Sequence, residues 1–403
     1  MITKKDWMLT TKDIYLRSDF NSKDDIKDLG GMYDGEKKRW FIPRGVNPLD
    51  FRSYWAVLDC PFEEKDKVKR RGARFDKSIK KWVVPERFDY DHFAKYWPSE
   101  LKKFLINDAF AIYSITTVSG QSMVYEAYNI HTNERVAIKL FDDSEKNERV
   151  REAFNRELKT LTETIPEHDF ILEILDWGQH EASGNYFIVT PHYPFDLSDF
   201  TGKNKKEIIQ MVLEKDYDFD PDNEDDRIQL EEAILKHSKG GNWLYYKDRL
   251  FLPMLDALCL AYDHKVIHRD IKPANIFVEF DIESNHFDFV LGDFGISKAR
   301  DKIVGNKNTV VDLRSEPYGP VRTKEEKKYQ DTWDGYGWAA IVVSLVTEKE
   351  IYTDEDLMDI LCNDFGDLVP KTIYAIILKC LLENPCDRPK NVKKIRELIL
   401  ENS

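Results

Sequence analysis

Four short stretches of this 403-residue chain carry side chains that could act together on a phosphate group. In chain order they are Val136-Ala137-Ile138-Lys139, then Glu157, then His268-Arg269-Asp270-Ile271-Lys272-Pro273-Ala274-Asn275, then Asp293-Phe294-Gly295. Asn275 and Asp293 offer hard oxygen donors of the kind Mg²⁺ takes, and Asp270 a carboxylate that could accept a proton. Asn275 follows Asp270 by five residues, so the loop between them can turn back on itself. A buried lysine needs an anionic partner. Glu157 fits Lys139 by spacing, with Glu152 as its rival. Phosphoryl transfer is the chemistry such a set could do, because it asks for positioning and for charge to meet phosphate oxygens. Any one Asp or Asn alone could be a turn residue; the ordered set is what gives them weight.

Particular elements must hold these groups. The alternation from Arg135 to Leu140 predicts a strand carrying Ala137 and Lys139 on one face. Val150 to Leu161 (VREAFNRELKTL) reads as an amphipathic helix carrying Glu157. A strand is expected over Tyr186 to Val189, with a connection from Thr190 to Tyr193 behind it that includes His192. Asp334 heads an apolar helical run, Gly335 to Val346, and Asp331 is its rival three residues earlier.

The ordered motifs resemble the signature set of protein kinases, and the resemblance runs from about Phe110 to Leu400. It implies a two-lobed α+β fold that uses ATP with Mg²⁺, or Mn²⁺ in its place. It implies Lys139 on the α- and β-phosphates, held by Glu157, and a substrate hydroxyl oriented by Asp270. Asn275 and Asp293 would hold the metal. Lys272, two residues after Asp270, implies a serine/threonine rather than a tyrosine kinase, steadying the transferred group. Val124 and Ala137 would line the nucleotide pocket, with Thr190 and His192 near the hinge. His268, Arg269, Phe294 and Gly295 belong to the same motifs. Asp334 resembles the buried aspartate that anchors the catalytic loop, and Arg388 in Asn384-Pro385-Cys386-Asp387-Arg388-Pro389 resembles the late structural arginine.

The chain also departs from the family pattern. The three glycine slots ahead of Lys139 hold Thr117, Ser119 and Ser122, and Gly120 is the one glycine in that loop. Small residues there can still donate backbone N–H groups, so weaker or slower nucleotide use is expected, and a catalytically silent scaffold stays open. Where Ala-Pro-Glu is expected, the nearest match is Tyr318-Gly319-Pro320-Val321, which leaves Arg388 without its usual glutamate; Glu316 is one replacement. Arg269 suggests control by phosphorylation at Thr309, Ser315 or Thr323. The acidic run Asp216 to Asp226 has Pro221 and Arg227 where a calcium loop needs glycine and glutamate, so it reads as an exposed loop within an insertion at about 201–243.

Residues 1–105 contain an internal repeat offset by 42 positions. Leu16 matches Leu58, Phe20 matches Phe62, Lys27 matches Lys69 and Gly30 matches Gly72. Asp34 matches Asp76, Lys38 matches Lys80, Trp40 matches Trp82 and Tyr54-Trp55 match Tyr96-Trp97. Each unit reads as strand, short helix ended by glycine, and hairpin. About 40 residues bury little alone, so the two copies should pack together. The pattern resembles a small domain of unknown function also fused to bacterial plasmid primases. That company suggests nucleic acid as a partner of residues 1–105, beside a protein-docking or sensing role, and a bacterial or mobile-element setting. The tryptophans read as core rather than as base-stacking platforms.

Composition sets outer limits. Net charge is −14, and residues 1–105 hold 24 Lys and Arg against 18 Asp and Glu, so the negative excess lies in the remainder. No apolar run reaches the length of a membrane span, and the charged start MITKKDWML does not read as a secretion signal. Five scattered cysteines without a CxxC pair fit a reducing, cytoplasmic setting. The expected organisation is a repeat unit at 1–54, a second at 55–105 with a linker near 98–108, an N-lobe at 106–191 and a C-lobe at 192–403. Its expected activity is ATP-dependent phosphorylation of protein substrates. A nucleic-acid-binding regulator with an accessory kinase domain is the reading from another class.

Overall fold

The computed structural model describes residues 8–17, 22–118, 122–141, 148–216, 228, 241–281, 286–294, 298–299, 316–320 and 330–402. The chain divides into two compact units. One comprises residues 1–154 and 174–192, the other 155–173 and 193–403.

The first unit opens with two three-stranded antiparallel sheets of one design. Strands β1 (Ile14–Tyr15), β2 (Met32–Asp34) and β3 (Arg39–Ile42) pair in the order β1-β3-β2. Strands β4 (Val57–Leu58), β5 (Arg74–Asp76) and β6 (Lys81–Val83) pair as β4-β6-β5. Their registers coincide at the 42-residue offset: Tyr33 faces Trp40 as Phe75 faces Trp82, and Asp34 faces Arg39 as Asp76 faces Lys81. Short helices, Lys23–Asp28 and Lys65–Arg70, run into Gly30 and Gly72, whose φ values of 90° and 105° favour residues without a Cβ. Asp34 and Asp76 each accept backbone N–H bonds two and three residues on, which closes both hairpin turns the same way.

A six-stranded antiparallel sheet follows. It is built from β7 (Leu105–Ile106), β8 (Phe110–Val118), β9 (Ser122–Asn129), β10 (Arg135–Phe141), β11 (Asp176–Gln179) and β12 (Tyr186–Pro191), in the order β11-β12-β10-β9-β8-β7. Alternation sorts its side chains: Met123, Tyr125, Val136, Ile138 and Val189 are buried, while Val124, Glu126, Ala137, Lys139 and Thr190 on the other face are half-buried. The buried face shares one continuous core with both small sheets. Trp55 of the first small unit meets Trp97 of the second edge-on and leans on Phe104, and the Tyr125 hydroxyl reaches Met8. Where the sequence suggested a linker near 98–108, the chain instead forms helix Ser99–Lys102 and the edge strand β7. The apolar series Leu101, Phe104, Leu105 and Ile106 is buried there, and a solvated linker has no use for four such side chains.

The second unit is mainly helical. Helix Trp333–Thr347 runs through its centre with Trp333 to Val346 all buried, which explains a composition apolar on every side. Helices Leu252–Asp263, Lys371–Cys380 and Val392–Glu401 pack in the same core. Helix Lys205–Asp216 buries Ile208, Ile209, Val212 and Leu213 in it too, so the front of the stretch read as an insertion is a core element. The acidic run beyond it lies outside the described residues. Strands β13 (Phe195–Asp196), β15 (Ile276–Asp281) and β16 (His286–Leu291) form one small sheet, and β14 (Val266–Ile267) pairs with β17 (Lys298–Ala299). Among the described residues no helix is long and apolar enough to cross a membrane.

Candidate active site

The first unit contributes one sheet face. Antiparallel pairing sets Lys139 opposite Val124 on one side and Ile188 on the other, and sets Ala137 opposite Glu126 and Thr190. Lys139 thus lies on a half-exposed face whose reverse is sealed in the core, and its ammonium stands 5.2 Å from the Phe141 ring centroid. Thr117 pairs with Val124 and Ser122 with Phe141, so these two stand on strands at the mouth of the β8–β9 hairpin. Ser119 and Gly120 fall outside the described residues. His192 follows β12 and its Nε2 lies 3.4 Å from Glu126 Oε1. Glu126 is a residue of this face that sequence reasoning missed; Ser122, Val124 and Glu126 at two-residue spacing were the signal.

In the second unit, Glu157 lies near the end of helix Glu148–Lys159 and is 3% exposed, whereas Glu152 is exposed. The amphipathic pattern thus turns Glu157 inward and its rival outward.

The loop after β14 is fixed from below. Asp334, at the start of the central helix, accepts the backbone N–H of His268 at 2.9 Å and of Arg269 at 2.7 Å, one on each carboxylate oxygen. Burial pushes the Asp334 carboxyl up from its usual value, and the two amides act against that. Asp331 instead accepts the Tyr262 hydroxyl at 3.1 Å. His268 Nε2 lies 2.8 Å from the Gly292 carbonyl, which can only accept, so Nε2 carries the proton. Nδ1 is then free to accept the Asp270 N–H at 3.3 Å. The imidazole also meets the Phe294 ring edge-on at 4.5 Å. One histidine thus ties the HRD segment to the DFG segment.

Asp270 Oδ2 receives two donors at 3.0 Å, Lys272 Nζ and Asn275 Nδ2. The Asn275 amide nitrogen also donates to the Asp270 carbonyl at 2.7 Å. With its nitrogen committed to Asp270, the Asn275 carboxamide presents Oδ1 as its remaining donor atom, a hard oxygen suited to Mg²⁺. The Asn275 carbonyl accepts from the N–H of Gly292, next to Asp293. Arg269 and Asp293 hold φ values of 72° and 57°, a left-handed conformation uncommon for residues with a Cβ and concentrated at functional sites. Arg269 donates to Gln330. Among the described residues no cluster of three His, Cys, Asp or Glu side chains could hold a metal, so the metal reading rests on Asn275 with Asp293.

Arg388 does not pair with Glu316. Its Nε donates to the Leu382 carbonyl at 2.7 Å and Nη2 to that of Glu383 at 3.2 Å, and its guanidinium lies over Tyr336. Glu316 lines a separate pocket with Lys272, Tyr318 and Glu350. Among the described residues, backbone carbonyls are the nearest acceptors of Arg388. Gly295, Thr309, Ser315 and Thr323 lie outside the described residues. Sequence reasoning also missed Gly337: a Cβ there would come within 2.5 Å of the Ile271 carbonyl oxygen and 2.9 Å of that of Tyr318, inside the catalytic loop's support.

The protein kinase domain matches residues 119–400, and a domain of unknown function, DUF5710, matches residues 55–98. The probable serine/threonine-protein kinase PknB of Corynebacterium glutamicum is 22% identical over 71% of the chain and 41% of its own length. The serine/threonine-protein kinase PkaA of Streptomyces coelicolor is 28% identical over 33% of the chain and 25% of its own length. The chain therefore spans well under half the length of these relatives. The solved kinase domain of Mycobacterium tuberculosis PknI is 16% identical, with 73% of this chain and 96% of that one covered at a TM-score of 0.42. With its family's domain matched across more than two thirds of its length, this chain belongs to the protein kinase family.

Proposed function

We propose that the chain transfers the γ-phosphoryl group of ATP to serine and threonine hydroxyls of proteins. The observation that carries this reading is the convergence of Lys272 Nζ and Asn275 Nδ2 on Asp270 Oδ2, on a loop pinned by Asp334. Asp270 would orient the substrate hydroxyl and accept its proton. Lys272, 3.0 Å from it, would move onto the transferred phosphoryl as negative charge shifts there. Lys139 would meet the α- and β-phosphates, with Glu157 as its anionic partner. Asn275 and Asp293 would hold Mg²⁺, or Mn²⁺, which when bound neutralises charge on the phosphate oxygens. Val124, Ala137, Thr190 and His192 would line the base and hinge side, with Thr117 and Ser122 on the neighbouring strands. The first small unit would be a second copy of the domain matched at 55–98, and the pair would select targets or sense a ligand.

The test is incorporation of labelled phosphate with Mg²⁺ or Mn²⁺, wild type beside Asp293→Ala, followed by mapping of the modified residues. The expected outcome is phosphate on serine or threonine, falling by about a hundredfold or more in the variant. Well-folded wild type that transfers nothing would replace this reading with a scaffold role for the domain.

A further inference from the structure

The two small N-terminal units repeat more than their cores require. At positions 42 apart both keep an aromatic ring in solvent, Tyr33 at 53% exposure and Phe75 at 51%. Each ring meets the facing tryptophan edge-on, Trp40 at 5.5 Å and Trp82 at 5.6 Å. Both units also keep a lysine, Lys38 and Lys80, at the last turn position, where φ is 54° and 53°. Glycine or asparagine would adopt that conformation with less strain. Keeping lysine there twice points to a use for the ammonium group.

In the second small unit these residues share an open cavity of about 720 Å³. Phe62, Phe75 and Trp82 supply rings, and Lys65, Lys80 and Lys81 supply charge. Phe62 is 75% exposed, with Lys65 Nζ 3.7 Å from its ring centroid. Lys81 is paired with Asp59, while Lys65 and Lys80 have no carboxylate partner among the described residues. The cavity therefore offers flat apolar faces beside two uncompensated cations. Nucleobases and their phosphates match that combination: rings stack, and ammonium groups meet the backbone. Residues 1–105 carry the chain's basic excess, 24 Lys and Arg against 18 Asp and Glu.

We propose that this cradle binds single-stranded nucleic acid, with bases stacked on Phe62 and Phe75 and phosphates held by Lys65 and Lys80. The face of Tyr33, Trp40 and Lys38 is the corresponding site in the first small unit. Two such faces in one folded unit suit a strand better than a mononucleotide. The proposal stands apart from the kinase reading.

The test is fluorescence anisotropy of labelled (dT)₂₀ and U₂₀ with the full chain at 50–200 mM salt. Binding is expected to weaken as salt rises. Phe75→Ala should weaken it about fivefold to a hundredfold, the range for loss of one stacked base. Lys80→Ala should weaken it and flatten the salt dependence, while Arg44→Ala, outside the cradle, should do neither. Both positions are at the surface, and circular dichroism verifies that each variant is folded. Absence of binding at 50 mM salt would overturn the proposal and leave the rings to a protein partner. So would binding that Phe75→Ala and Lys80→Ala leave unchanged, a duplex bound as tightly as a single strand, or displacement by uridine monophosphate at equal concentration.

Discussion

Asp334 shows how much one carboxylate can hold. It is buried beneath the catalytic loop and takes the N–H groups of His268 and Arg269 on separate oxygens. Removing it leaves two buried donors without an acceptor, each costing roughly 1–3 kcal/mol. Asp334→Ala is therefore expected to lower unfolding free energy by about 3 kcal/mol, measured by urea titration, and to abolish ordered placement of Asp270. Asp331→Ala removes the acceptor of the half-buried Tyr262 hydroxyl, no backbone N–H of the His268–Arg269 loop, and should cost less, about 1 kcal/mol. Equal losses in the two variants would contradict the assignment of the anchor. The left-handed Arg269 and Asp293 belong to this scale as well: neither residue type announces its φ, which the surrounding hydrogen bonds impose.

Elements approach most closely where no side chain stands between them. The central helix approaches the catalytic loop at Gly337, and an added Cβ would lie 2.5 Å from the Ile271 carbonyl oxygen. Alanine would normally favour a helix by about 1 kcal/mol over glycine. Here backbone on both sides must move instead, and overpacking of this kind costs about 1–3 kcal/mol. Gly337→Ala should thus lower the thermal midpoint and reduce phosphoryl transfer about tenfold to a hundredfold, because the loop carrying Asp270 and Lys272 shifts. A variant with unchanged midpoint and rate would show that the loop has room to yield. Glu157 and Lys139 make the same point more simply. Helix and strand periodicity decided which face each would occupy, and the half-exposed strand face and the buried helix position follow that pattern.

Over the whole first unit, the small sheets and the large sheet form one core. Tyr125, Ile138 and Ala127 of the large sheet are fully buried in it, alongside Trp55, Trp97 and Phe104. A fragment of residues 106–403 would expose that apolar face to water, at roughly 25 cal/mol per Å². It is expected to melt well below the full chain, or to aggregate, in a calorimetric comparison. A fragment that melts at the full chain's temperature would mean that the two small units are dispensable appendages. The same core joins residues 1–105 to the sheet that carries Lys139.

The sequence by itself determined the motifs, their order and the family. Lys139, Asp270, Lys272, Asn275 and Asp293 stand in motifs whose spacing depends on local turns, and local turns are legible in residue types. The 42-residue repeat was likewise visible, because matched residues must serve matched registers, and the strand pairings of the two units coincide accordingly. Only the tertiary structure decided what lies far apart in sequence. It chose Asp334 over Asp331, gave Arg388 carbonyl partners in place of Glu316, and set Glu126 beside His192. It also turned an expected linker into an edge strand of the large sheet. Those outcomes depend on which apolar faces find one another, and a buried surface is shared between segments rather than encoded in either one.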